Sequence, residues 1–141
     1  MKRVILLTAL LAATGCGSDS TSPSTLPPTS VGVFTSTDLV VGTGTTAATL
    51  NTVTVAYTGW LYDTSKPDGK GTQFQTNPSF QFQLGGNVIA GWNQGVPGMR
   101  IGGQRRLILP PELAYGANSP DPTTIPQNAT LVFEITLKSI P

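Results

Sequence analysis

The side chains with most to offer a ligand are aromatic: Tyr57, Phe74, Phe80, Trp92, Tyr115 and Phe133. Nucleophilic and metal chemistry lack their usual parts. The chain has no histidine and a single cysteine, Cys16. Ser-His-Asp triads, Cys-His dyads, Cys/His zinc sites and disulfide frameworks are thereby excluded within one chain. The carboxylates Asp63, Asp68, Glu112, Asp121 and Glu134 show no ligand spacing and read as solvated loop or strand positions. No metal and no cofactor is called for. What remains is an apolar binding surface centred on the stretch 84–99. There Ile89, Trp92 and Val96 recur at offsets of three and four, so they share one face of a short helix. Pro97-Gly98 ends it, since proline cannot continue a helix and glycine tolerates the turn that follows. So short a helix is unstable alone and must lie on something. A tryptophan at its centre, facing a sheet, offers a flat apolar floor of the kind that seats a proline ring.

The elements that would position this floor are strands. Residues 53–58 alternate, with Val53, Val55 and Tyr57 on one face; 80–84 place Phe80, Phe82 and Leu84 together. Residues 131–137 put Leu131, Phe133, Ile135 and Leu137 inward and Glu134 and Thr136 outward. A further strand, 104–109, is closed by Pro110-Pro111, which cannot sit in a central ladder. A short one is expected at 72–75, and the pattern turns β-like from Phe34. The fold class is α+β: an antiparallel sheet of about five strands with one face on a single helix and the other wet. Segments 62–71 and 116–126 are Gly/Pro/Asp/Ser-rich loops. The glycine pairs Gly42/Gly44 and Gly102/Gly103 lack the context of phosphate loops and read as turns.

Composition bounds the partners. The chain has 141 residues, 38% of them hydrophobic and only 11% charged, with a net charge of +1. One domain of ordinary size is expected, and no nucleic-acid partner. Arg100, Arg105 and Arg106 form a small cluster that reads as a soluble sheet edge. Met1-Lys-Arg followed by the apolar run 4–13 is too short to span a bilayer but suits a signal peptide. It ends in Ala13-Thr-Gly-Cys16, which resembles a bacterial lipobox. Residues 1–15 are therefore expected to be a lipoprotein signal peptide and Cys16 the lipidated residue. Residues 16–33 would be a Ser/Thr/Pro-rich tether reaching on the order of 25 Å, and 34–141 the folded domain. The expected location is the bacterial cell envelope, lipid-anchored; Gly17 after the cysteine fits the outer membrane facing the periplasm, where two membranes exist.

From 38 to 141 the motifs resemble those of FKBP-type peptidyl-prolyl cis-trans isomerases. They are Tyr57-Thr-Gly59, Phe80-x-Phe-x-Leu-Gly85, Val88-Ile-x-Gly-Trp92, Gly95-Val96, Met99, and Gly102-Gly-Gln-Arg-Arg-Leu107. Pro110-Pro-Glu-Leu-Ala-Tyr-Gly-Ala117 and Ile125-Pro-x-Asn-Ala-Thr-Leu-Val-Phe133 complete the set. The resemblance implies a curled sheet on one helix and rotation about Xaa-Pro bonds; with the expected leader, the substrates would be exported proteins. It implies a pocket floored by Trp92, walled by Tyr57, Phe74, Phe80, Val88, Ile89, Tyr115 and Phe133, and overhung by Ile125. In that family the N–H matching Ile89 and the hydroxyl matching Tyr115 donate to bound carbonyls. Partners would be Pro-containing polypeptides and macrolide inhibitors, the protein a monomer. One departure stands out: Gln75 occupies a place where the family usually has an aspartate that bonds across the pocket, and Asn87 one where some relatives have an acid. Weaker macrolide binding follows. A Pro-segment binding module with little turnover is the alternative that Gln75 favours.

Overall fold

The computed structural model describes residues 33–141. The leader, Cys16 and all of the tether but Val33 lie outside the described residues. Five strands form one antiparallel sheet in the order β1-β4-β5-β2-β3. They are β1 (Thr35–Val40), β2 (Thr52–Tyr62), β3 (Lys70–Gln83), β4 (Gln104–Leu109) and β5 (Leu131–Ser139). Among the described residues a single α-helix, α1 (Ala90–Gly95), lies between β3 and β4 in the chain, and a short 3-10 turn, Pro111–Leu113, follows β4. β5 is the middle strand, buried even at Val132 on its outer face; on its inner face Leu131, Ile135 and Leu137 are fully buried and Phe133 is 2% exposed. With Val53, Val55, Leu84, Trp92, Val96 and Leu107 they make one core.

The expected number of strands holds, but they are apportioned differently. Segments 72–75 and 80–84 belong to one long strand, β3, with Leu84 just past its end. Asn77-Pro78-Ser79 reads as a break, yet β3 is a sheet edge, where a residue without an N–H costs no ladder bond. A shift in register absorbs it: Val55 faces Phe80, but Tyr57 faces Asn77. A second shift, between Gly59 opposite Gln75 and Trp60 opposite Gln73, leaves Phe74 as the extra residue of a bulge. A third shift follows between Trp60 and Tyr62, which faces Lys70. Bulges bend and twist a strand, and these help curl this one around the helix. The fifth strand is β1. All six of its residues are exposed, so it shows no buried face for a sequence pattern to reveal. It is held by its ladder to β4 and by Arg105, whose Nε donates to Asp38 Oδ1 at 2.6 Å.

The wet face is not simply solvated. Glu134 Oε1 accepts from Lys70 Nζ at 3.0 Å and from Arg106 Nη2 at 2.8 Å, with its side chain only 15% exposed. Lys70 also pairs with Asp68 at 3.2 Å and stands 4.7 Å over the Trp60 ring. This group ties the loop after β2 to the sheet and corrects the reading of Glu134 as a solvated carboxylate and Arg106 as a mere surface charge. Burial alone would raise the Glu134 pKa, but the hydrogen bonds from Arg106 and Lys70 outweigh it and hold the carboxyl below its ordinary 4.5. Its stabilisation is therefore complete above that value and lost as pH falls through the lowered one. Glu134→Gln is expected to cost about 1–3 kcal/mol at neutral pH. In thermal unfolding from neutral pH to pH 3, the gap between the two proteins should close in acid; a constant gap would deny the ion cluster its role.

Candidate functional site

Trp92 is fixed from three directions. Along the helix, Gly91, Trp92 and Gly95 are the buried residues, followed by Val96. Ile89 is not on that face. It precedes the helix in an extended conformation, φ −57° and ψ 145°, and stands half-buried beside the floor. At the N-terminal end Asn93 Oδ1 accepts from the Gly85 N–H at 2.8 Å, and its Nδ2 donates to the Gly86 carbonyl at 3.2 Å. At the C-terminal end Arg105 Nη1 donates to the carbonyls of Gly95 (2.8 Å) and Pro97 (3.2 Å), satisfying groups that a helix terminus leaves unpaired. Arg105 thus anchors the helix, where the sequence suggested a soluble edge.

Around the indole stand four rings. Tyr57 meets it edge-on at 4.8 Å and 78°, Phe133 at 5.3 Å and 88°, Phe80 at 6.0 Å and 74°, and Phe82 is tilted at 5.3 Å. Such a box leaves little freedom to the floor: Trp92 is 4% exposed. A cavity of about 480 Å³ nevertheless opens onto it. Tyr57, Phe80, Val88, Ile89, Tyr115 and Phe133 form its walls, and the exposed Gln75 and Asn87 also line it. Phe74 and Ile125 stand behind the lining. Phe74, the bulged residue, packs edge-on against Phe133 at 5.7 Å, over Gly59, whose added Cβ would lie 2.6 Å from it. Ile125 is buried, its carbonyl accepting from Ser119 Oγ at 2.5 Å. Asn87 is the lining residue that reasoning from motifs noticed only as a departure from pattern.

Residues 44–138 match the family described as FKBP-type peptidyl-prolyl cis-trans isomerase. The chain belongs to the FKBP family. It is 39% identical over 104 residues to an FK506-binding protein of Neisseria meningitidis serogroup B, covering 73% of this chain and 92% of that one. Other curated relatives are much longer. The chain is 42% identical over 104 residues to the 46 kDa FK506-binding nuclear protein of Spodoptera frugiperda, 73% of this chain but only 24% of that one. In structure it resembles a peptidyl-prolyl cis-trans isomerase from Pseudomonas syringae pv. tomato, with a TM-score of 0.62 and 35% identity over 76% of this chain and 74% of that one.

In this FKBP domain the site carries no formal charge at neutral pH. The titratable groups lining it are the two tyrosines. Burial raises both above their ordinary 10.0, and at Tyr57 the neighbouring Tyr115 adds to it. Among the described residues the Ile89 N–H has no hydrogen-bond partner, which leaves a fixed backbone donor at the cavity wall. The Trp92 Nε1–H is buried and also unpartnered among them. Enclosed by aromatic rings, it adds no polar contact to the floor.

Proposed function

We propose that this chain catalyses cis–trans isomerisation of Xaa-Pro bonds in exported polypeptides. The observation that carries it is an uncharged cavity opening onto a tryptophan clamped by four rings. Rotation about the amide must cross about 18–20 kcal/mol, set by resonance that water at the oxygen favours. A proline seated on Trp92 moves that amide into apolar surroundings, where the charge-separated planar form loses its advantage. No bond breaks, so neither nucleophile nor acid–base pair is needed. Donors held in place, the Ile89 N–H and the Tyr115 hydroxyl, cost no reorganisation when they engage the twisted form. Each 1.36 kcal/mol removed from the barrier is about tenfold in rate, so a few such contacts suffice.

The setting we propose is the bacterial envelope. Removal of residues 1–15 would free Cys16 for lipid, and the Ser/Thr/Pro-rich segment up to Val33 would hold a monomeric domain clear of the membrane. In support stand the apolar run 4–13, Ala13-Thr-Gly-Cys16, and Cys16 being the only cysteine. Macrolide inhibitors would occupy the same cavity, more weakly for want of a carboxylate at 75. That same Gln75 favours a second reading, a module that holds Pro-containing segments with little turnover. A protease-coupled assay on a Xaa-Pro tetrapeptide separates the two: acceleration supports isomerisation, saturable binding without it supports the holding module. With only tyrosines titrating in the cavity, kcat/KM is expected to stay flat from about pH 5 to 9. A bell-shaped profile in that range would mean that some other group takes part.

A further inference from the structure

The Tyr57 hydroxyl has no hydrogen-bond partner among the described residues. The ring is positioned by packing alone, edge-on to Trp92 at 4.8 Å, to Phe80 at 5.8 Å and to Phe133 at 6.2 Å. The residue is 7% exposed and lines the cavity, and the hydroxyl makes no hydrogen bond among the described residues. It is not among the sealed polar atoms either; of the described residues only Trp92 Nε1 is. The hydroxyl therefore opens onto the cavity. Gln75 faces the same cavity, and its side chain is equally unengaged among the described residues. Tyr115, the other hydroxyl of the lining, is near enough to add to the effect of burial in opposing the ionisation of Tyr57.

We propose that the Tyr57 hydroxyl is a substrate donor acting beside that of Tyr115, and that the neutral side chain at 75 is what leaves it available. The proposal rests on the isomerase reading and deepens it by naming the ligand chemistry: a segment presenting carbonyl oxygens on both sides of the seated proline. The reasoning is one of competition. A phenol held in an apolar wall gives its proton to the best acceptor within reach. A carboxylate accepts about twice as strongly as a neutral carbonyl, so an acid at 75 would capture that proton. A carboxamide has left it uncaptured. A peptide carbonyl brought in on the Trp92 floor then finds two hydroxyl donors rather than one, and the paired gain appears only when substrate is bound.

The test uses the full chain in the tetrapeptide assay. Tyr57→Phe keeps the ring and its packing and should lower kcat/KM roughly threefold to tenfold, the worth of one hydrogen bond. Gln75→Glu keeps shape and should lower it by a similar factor. The double variant should be no worse than either single one, because the acid removes the same donor that the phenylalanine lacks. Unaltered kcat/KM in Tyr57→Phe, or losses that multiply in the double variant, would overturn the proposal. A second readout does not need turnover: the Tyr57 13Cζ resonance should move on titration with the tetrapeptide in the wild type and stay in place in Gln75→Glu. A wild type that binds the peptide without turning it over sinks the isomerase reading, whereas the resonance shift still decides the donor; a Tyr57 signal that peptide leaves unmoved rejects it.

Discussion

Trp92→Leu is expected to lower kcat/KM on Xaa-Pro tetrapeptides by about a hundredfold while leaving a folded protein. A hundredfold is about 2.7 kcal/mol of transition-state stabilisation, which is what losing the flat face beneath the proline ring should remove. Emptying an aromatic core site entirely costs about 3–5 kcal/mol of stability. Leucine refills part of the volume, so the cost should fall below that range and within the margin of a typical domain. The two effects need separating, because Trp92 belongs to the core as well as to the cavity. Leu137→Ala supplies the comparison. That leucine is fully buried on β5 and does not line the cavity. It should lose as much stability or more, with kcat/KM per folded molecule within about twofold of wild type. If both variants lose activity in proportion to stability, the indole is a core residue and not a floor.

Much of this site was legible because strand and helix periods are local. The alternations at 53–58 and 131–137 placed Val53, Val55, Tyr57, Phe133 and Ile135 on the buried side, where they are found. Trp92 was equally plain, a large ring at the centre of a helix too short to stand alone. What stayed hidden depends on contacts between segments distant in sequence. The edge strand β1 has no buried face, so periodicity could not reveal it. Pro78 suggests a break unless it is known that β3 lies at the edge, and only the pairing order says so. The two glycine turns lie about 60 residues apart in sequence, yet they pack together: a Cβ on Gly42 would lie 2.5 Å from the Gly103 nitrogen and 2.4 Å from the Arg100 and Ile101 carbonyl oxygens. Arg105 and Glu134 looked like surface charges, because their partners come from other elements.

The helix shows most sharply how a local rule can mislead, and Gly91→Ala should bring that out. Helix propensity alone favours the change by about 0.8–1.0 kcal/mol, since glycine loses more backbone entropy than alanine on becoming helical. Gly91 and Gly95 lie one turn apart, and both face β4. A Cβ on Gly91 would come within 2.4 Å of Leu109 Cδ2 and 2.6 Å of its Cδ1; one on Gly95 would come within 2.6 Å of Leu107. Neither leucine can give way, because each is fully buried in the core. The glycines are what let so short a helix lie flush on the sheet, and the flush contact sets the depth of Trp92 between them. Overpacking of this kind costs about 1–3 kcal/mol, which outweighs the propensity gain. Gly91→Ala is thus expected to lower stability by up to about 2 kcal/mol net, and Gly91→Val by more. Both should also lose activity beyond their loss of stability, since lifting the helix lifts the floor. A truncation on the facing side decides the cause: Gly91→Ala combined with Leu109→Ala should be markedly more stable than the sum of the two single losses. Simple additivity there would mean that the glycine is not held by its contact with β4.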